Sequence, residues 1–192
     1  MARPRTVDRQ RLLDAAAVVI AREGPHFTLA GVAAEAGVSV GSVAGRFRSK
    51  HGLLVALSEA ATAQTATVLR EAAEAAPTPG EAVREALVAL YAGLGDAETA
   101  ANHLAQLGVD LVDATLRDRL GRHYAAVEDV LCELLTSRGR EAWSGPPPRQ
   151  AVRVLLAVAN GAAIDWSVRP RGELGTRLRE DIDLITKGWW GT

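Results

Sequence analysis

Cysteine is almost absent from this chain of 192 residues: Cys132 is the only one. No disulfide is available within the chain, and a reducing compartment is the default expectation. Long apolar runs are missing too. No stretch reaches about 18 consecutive apolar residues, so no membrane span is expected. The start, "MARPRTVDRQRLLDAAAVVIAREG", is basic and then apolar, as a signal peptide would be. Asp8, Asp14, Arg22 and Glu23 interrupt it, and its apolar residues repeat with helical period, which argues for an amphipathic helix. A cytoplasmic location is the resulting expectation. Four histidines are scattered, and no HExxH, CxxC, GxSxG or Walker pattern gathers reactive groups. An enzyme is therefore not expected, nor a cofactor or metal. Strand alternation and internal repeats are also lacking.

What is present is helical periodicity, broken at regular places. Leu12, Leu13, Ala16, Val19 and Ile20 form a stripe that Gly24-Pro25 ends. Thr28 reads as the N-cap of a short helix burying Leu29, Val32, Ala33 and Ala36. Gly37 supplies a sharp turn. Ser39 caps the next short helix, with Val43 and Phe47 on one face. Ser49 caps a long helix from Lys50 to about Ala75. "PTPGE" then breaks the pattern. Thr78 with Glu81 has capping-box spacing, and Pro79 takes the favoured first helical position. Asp96 starts a helix through Leu104 and Leu107, and Leu116 to Leu135 mark a long one ending near Gly139. After "SGPPPRQ" comes a helix through Val152, Leu155, Ala159 and Trp166. "RPRGELG" precedes a last one, from about Thr176 to Trp190. The fold class predicted is all-α with about nine helices. It divides into a head at 1–50 and a body at 51–192.

Charge is unevenly spread. Residues 1–50 hold eight Lys or Arg against four Asp or Glu, while the rest hold 14 against 19. A basic head on an acidic body is compatible with a nucleic-acid footprint and equally with solvated surface charge. The three short helices of the head suggest a helix-turn-helix unit. A recognition helix must enter a major groove about 12 Å wide, so small residues on its leading face allow close approach. Val40, Gly41, Ser42, Ala44 and Gly45 fit that need, with Val43 and Phe47 turned back onto Leu29, Val32 and Ile20. Ser49-Lys50 opens the following helix, whose N–H groups and lysine suit a phosphate.

The segment "RLLDAAAVVIAREGPHFTLAGVAAEAGVSVGSVAGRFRSKHGLLVAL" resembles the DNA-binding domain of TetR-family transcriptional regulators. "LLDAAAVVIAREG" resembles the family's first helix, "FTLAGVAAEAGVS" its second helix and turn, and "GSV…RF.SK…L" its recognition helix and the beginning of the fourth. The resemblance implies double-stranded DNA as partner. The candidate DNA-binding residues are Thr28, Ser39, Val40, Gly41, Ser42, Ala44, Gly45, Arg46, Arg48 and Lys50. Arg3 and Arg5 join them as an arm for a minor groove or the backbone; a disordered basic tail is the alternative. One departure stands out. The family usually carries an aromatic pair where this chain has Ala44-Gly45. Either the helix approaches the groove more closely, using Ser39, Ser42 and Arg46, or affinity comes mainly from phosphates.

For the remainder, the resemblance implies an all-α ligand-binding and dimerisation domain. The homodimer would form from the last two long helices of each subunit, with Ala151, Val154, Leu155, Val158, Ala162 and Trp166 on one and Leu178, Ile182, Ile185 and Trp189 on the other. Simple core packing is the alternative for each. An unknown small-molecule effector would occupy a pocket among the middle helices, where the candidates are Tyr91, His103, Gln106, Asp110, His123, Trp143, Asn160 and Trp166. The functional expectation is a repressor released from a palindromic operator by its effector. The rival is a helical protein–protein interaction module, which accounts for the helices but not for the basic head.

Overall fold

The computed structural model describes residues 8–136 and 143–190. Arg3, Arg5 and the expected helix end near Gly139 lie outside the described residues. Those described form nine α-helices: α1 (Arg9–Glu23), α2 (Leu29–Glu35), α3 (Val40–Phe47), α4 (Lys50–Glu74), α5 (Pro79–Tyr91), α6 (Ala97–Val112), α7 (Ala114–Thr136), α8 (Pro148–Val168) and α9 (Leu174–Thr186). Single 3₁₀ turns follow α1 at Gly24–His26 and α5 at Ala92–Leu94. No strand is present among the described residues, only an isolated bridge between Trp143 and Trp190.

Most helix starts are fixed locally. The hydroxyls of Thr28, Ser39, Ser49 and Thr78 accept from the N–H three residues on, as does the Asp96 carboxylate. Each satisfies one of the four orphan donors of its helix. Thr78 Oγ1 also donates to Glu81 Oε2 at 2.7 Å, joining the two side chains of the expected capping box. Asp113 Oδ1 accepts from Thr115 and Leu116, which starts α7 directly after α6.

Two apolar cores result. The head core joins Leu12, Leu13, Val19 and Ile20 of α1 to Val32, Val43 and Phe47. It does not stop at residue 50: Leu53, Leu54 and Ala56 of α4 belong to it, and so does Leu116 from α7. The body core gathers Leu69, Val83, Leu87, Val127, Leu131, Leu155, Leu178 and Ile182 from α4, α5, α7, α8 and α9. Helices α4 and α8 have the length and apolar content of a membrane span. Their inner faces, with Leu53, Leu54 and Leu69 on one and Leu155, Leu156 and Ala159 on the other, are buried in these cores.

The chain's end departs from the sequence expectation. Helix α9 stops at Thr186 instead of continuing to Trp190. Gly188 adopts φ 83°, and the chain turns back. Ser144 N then donates to Trp189 O at 2.9 Å, and Ser144 Oγ to Gly188 O at 3.0 Å. Trp143 meets Trp189 and Trp190 edge-to-face at 5.7 and 5.1 Å. Trp189 therefore lies in this aromatic clasp and not on a helical face. On α8, Ala151, Leu155, Ala162 and Trp166 are consumed by the body core, so they are not free to face a second subunit.

Candidate nucleic-acid interface and effector cavity

The geometry of α3 follows from its two faces. Val43 and Phe47 are buried and anchor it to the head core. Val40, Gly41, Gly45 and Arg46 are exposed, with Ser42 and Ala44 partly so. A Cβ built on Gly45 would meet no atom within 4 Å. The bare ridge is thus not demanded by the protein's own packing. Ser39 is committed locally: its Oγ caps Ser42 N at 3.2 Å and lies 2.9 Å from Ser42 Oγ. Thr28 is exposed, with its Oγ1 accepting from Gly31 N at 3.0 Å. Arg46 has no ion-pair partner among the described residues.

Between α3 and α4 the chain makes a tight corner. Arg48 holds φ 67° and ψ −39°, while Ser49 N donates to Phe47 O at 2.8 Å. This is a γ-turn of the rare, strained hand on a residue with a Cβ. It sets the exposed guanidinium of Arg48 beside the end of α3. Lys50 is placed differently from the sequence expectation. Its Nζ donates to Pro25 O at 2.6 Å and sits 4.2 Å from the Phe27 ring centroid. Desolvation lowers its pKa from the usual lysine range. The ammonium serves first as an internal tie for the turn after α1, with only its remaining donors free for a phosphate.

A cavity of about 300 Å³ lies in the body. Leu90, Tyr91 and Leu94 line it from α5 and its 3₁₀ turn, and His103, Leu104 and Leu107 from α6. Leu120, His123, Tyr124 and Val127 come from α7, and Asn160, Ala163 and Ile164 from α8. No Asp, Glu, Lys or Arg is among them. Tyr91 OH donates to Asn160 Oδ1 at 2.9 Å, and Tyr124 OH to the same oxygen at 3.3 Å. Burial raises the Tyr91 pKa further above the usual phenol range. It pushes both His103 and His123 down, so both rings favour the neutral form near pH 7.

The structure therefore brings together Tyr91, His103, His123 and Asn160 among the expected pocket residues. The other four lie elsewhere. Gln106 is buried and donates to Asp110 Oδ1 at 2.8 Å, while its Oε1 has no hydrogen-bond partner among the described residues. Burial raises the Asp110 carboxyl pKa. Trp143 is held in the clasp with its Nε1 donating to Pro146 O at 3.0 Å, and Trp166 Nε1 donates to Gly172 O at 3.1 Å. Tyr124, next to His123, was missed by sequence reasoning. Its position one turn before Val127 and Glu128 gives no local sign that it meets α8.

The body also grips the head. Asn102 on α6 donates through Nδ2 to Ala21 O at 3.0 Å and Arg22 O at 2.9 Å, the last carbonyls of α1. His51 of α4 approaches Asp113 at 3.3 Å, and Glu59 pairs with Arg119 of α7 at 2.6 Å and with Arg9 of α1 at 3.8 Å.

Comparison with known families matches residues 12–57 to "Bacterial regulatory proteins, tetR family" and residues 77–190 to "MftR C-terminal domain". No curated protein matches. Among solved structures, the chain is similar to the transcriptional regulator FadR from Bacillus subtilis in complex with stearoyl-CoA. The two are 22% identical over 94% of this chain and 99% of that one, with a TM-score of 0.75. FadR from Bacillus halodurans is 19% identical over 94% and 98%, with a TM-score of 0.71. PfmR from Thermus thermophilus is 22% identical over 94% and 98%, with a TM-score of 0.64. At these identities the structures establish a shared fold, while the two family matches reach nearly from end to end. The chain belongs to the TetR family of bacterial transcriptional regulators.

Proposed function

We propose that this DNA-binding regulator is a homodimeric repressor that reads a palindromic operator with paired α3 helices and is released when a small molecule enters the cavity between α5, α6, α7 and α8. The observation that carries the reading is the construction of α3. Val43 and Phe47 fix the helix from behind, and the exposed ridge from Val40 to Arg46 ends in a guanidinium with no ion-pair partner among the described residues. Such a ridge suits groove contact by Gly41, Ser42 and Gly45, with Arg46 on a base edge or phosphate and Arg48 on the backbone. Two such ridges about 34 Å apart would read half-sites one helical turn apart.

Release follows from α6. One face of this helix presents His103, Leu104 and Leu107 to the cavity, while Asn102 holds the carbonyl end of α1. A ligand that favours a shifted α6 shifts the head with it. It weakens operator binding only by its differential affinity for the two arrangements. Bacillus subtilis FadR holds stearoyl-CoA. The cavity here has the apolar walls for an acyl chain but, among the described residues, no Lys or Arg in its lining for a phosphate.

The test is selection of operator fragments from random DNA with the purified protein, followed by fluorescence anisotropy. Affinity is expected to fall steeply with salt, as counterion release requires. Arg46→Ala should weaken binding by roughly tenfold, about 1.4 kcal/mol, with an unchanged melting temperature. A flat salt response, or wild-type affinity of Arg46→Ala for every selected fragment, would remove this docking face.

A further inference from the structure

The cavity's polar groups specify more than size. Asn160 Oδ1 already accepts from two tyrosine hydroxyls, at 2.9 and 3.3 Å, so its carbonyl end is occupied. Its amide Nδ2, which carries two protons, has no partner among the described residues. His123 is also oriented from behind. Thr65 Oγ1 donates its one proton to Ala61 O at 2.8 Å, so toward His123 Nδ1, at 3.3 Å, it can only accept. Nδ1 therefore carries the ring proton, and Nε2 is left as an acceptor in the neutral ring. Asn160 Nδ2 and His123 Nε2 thus offer a donor and an acceptor across from α6, whose His103 adds a second neutral ring; the two tyrosines apart, the remaining walls are leucine, valine, alanine and isoleucine. A carboxylate or ammonium there would find no opposite charge in the lining and would lose its hydration uncompensated.

From this arrangement we infer that the effector is an uncharged alcohol: an apolar body whose hydroxyl accepts from Asn160 Nδ2 and donates to His123 Nε2. This deepens the proposed function, because it rests on the cavity being the effector site. At about 300 Å³ the cavity holds on the order of ten non-hydrogen atoms, taking about 30 Å³ for each water-sized volume. The two tyrosines position Asn160 rather than the ligand. Their hydroxyls hold the amide in the orientation that presents Nδ2.

The experiment is calorimetric titration of the DNA-free protein at pH 7.5 with three probes of one chain length: 1-octanol, octanoate and octylammonium. Octanol is expected to bind, with octanoate and octylammonium each at least tenfold weaker. Asn160→Asp keeps an oxygen for both tyrosines but replaces the donor with an acceptor and a charge, and should lower octanol affinity at least fivefold. His123→Leu removes the acceptor while adding apolar surface, and should also lower it. Circular dichroism melts confirm that both variants fold. Octanoate binding as tightly as octanol, no octanol binding up to its solubility, or undiminished octanol binding by both folded variants would overturn the inference. Operator anisotropy with added octanol addresses the underlying reading separately. Tight octanol binding with no loss of operator affinity would leave the ligand class standing and remove the effector role.

Discussion

At the scale of single residues, the corner between α3 and α4 separates the roles of two glycines, Gly45 and Gly52. A Cβ on Gly52 would lie 2.1 Å from the carbonyl oxygen of Phe47, the same oxygen that closes the γ-turn at Arg48. A Cβ on Gly45 would meet nothing within 4 Å. Gly52 is thus a packing requirement, and Gly45 a cost borne by the helix. Replacing Gly45 with Ala should stabilise the protein by about 0.5–1 kcal/mol. Gly52→Ala should destabilise it by about 2 kcal/mol or more, since backbone has to move. Calorimetric melting of the two variants reads both effects; equal melting temperatures would contradict this account of the corner. The same comparison bears on the missing aromatics. Since Gly45 has open space around it, its smallness is free to serve the approach to DNA.

At the scale of elements, α6 joins the two halves of the molecule. Asn102 Nδ2 satisfies the carbonyls of Ala21 and Arg22, which no further turn of α1 can reach. Gly24 allows this approach: its φ is 52°, and a Cβ there would sit 3.1 Å from Asn102 O. Asn102→Ala should cost about 1–2 kcal/mol and speed hydrogen exchange at the end of α1 and in the turn at Gly24–His26. Unchanged exchange there would mean that α6 does not hold the head. What was legible in the sequence divides along similar lines. The caps at Thr28, Ser39, Ser49, Thr78 and Asp96 were readable because a cap is decided within three residues. The end of α9 was not, because Ile182, Ile185 and Trp189 keep helical spacing across a glycine that adopts positive φ. Four of the eight expected cavity residues line it. The others misled because a polar or aromatic residue on a middle helix carries no local sign of which neighbour it faces. Trp166 and Gln106 are buried against protein, and Tyr124 meets Asn160 across 36 residues.

At the scale of the whole molecule, the question is which surface pairs two subunits. The outer side of α8 carries Val154, Ala157, Gly161, Ile164 and Val168, at alternating intervals of three and four residues. Those intervals run a straight seam along a helix, as in helices that pack at a shallow angle. Ile164 is 51% exposed and Val168 74%, and Leu184 on the neighbouring α9 is 74% exposed. Contiguous apolar side chains left in water mark an interaction surface more often than a solvated face. The small residues Ala157 and Gly161 sit at the middle of the seam, and a Cβ on Gly161 would touch nothing in its own subunit. In a two-fold interface the seam meets its own copy, so the middle is where the two backbones would come closest. Gly161→Glu should therefore leave the subunit folded while setting two carboxylates against each other across the axis. The expected outcome by light scattering is a monomer at micromolar concentration where the unchanged protein is a dimer. Operator affinity should fall at least tenfold, because each head then binds its half-site alone. A dimer that persists in Gly161→Glu with full operator affinity would place the subunit contact on another surface, and with it the spacing of the two recognition helices.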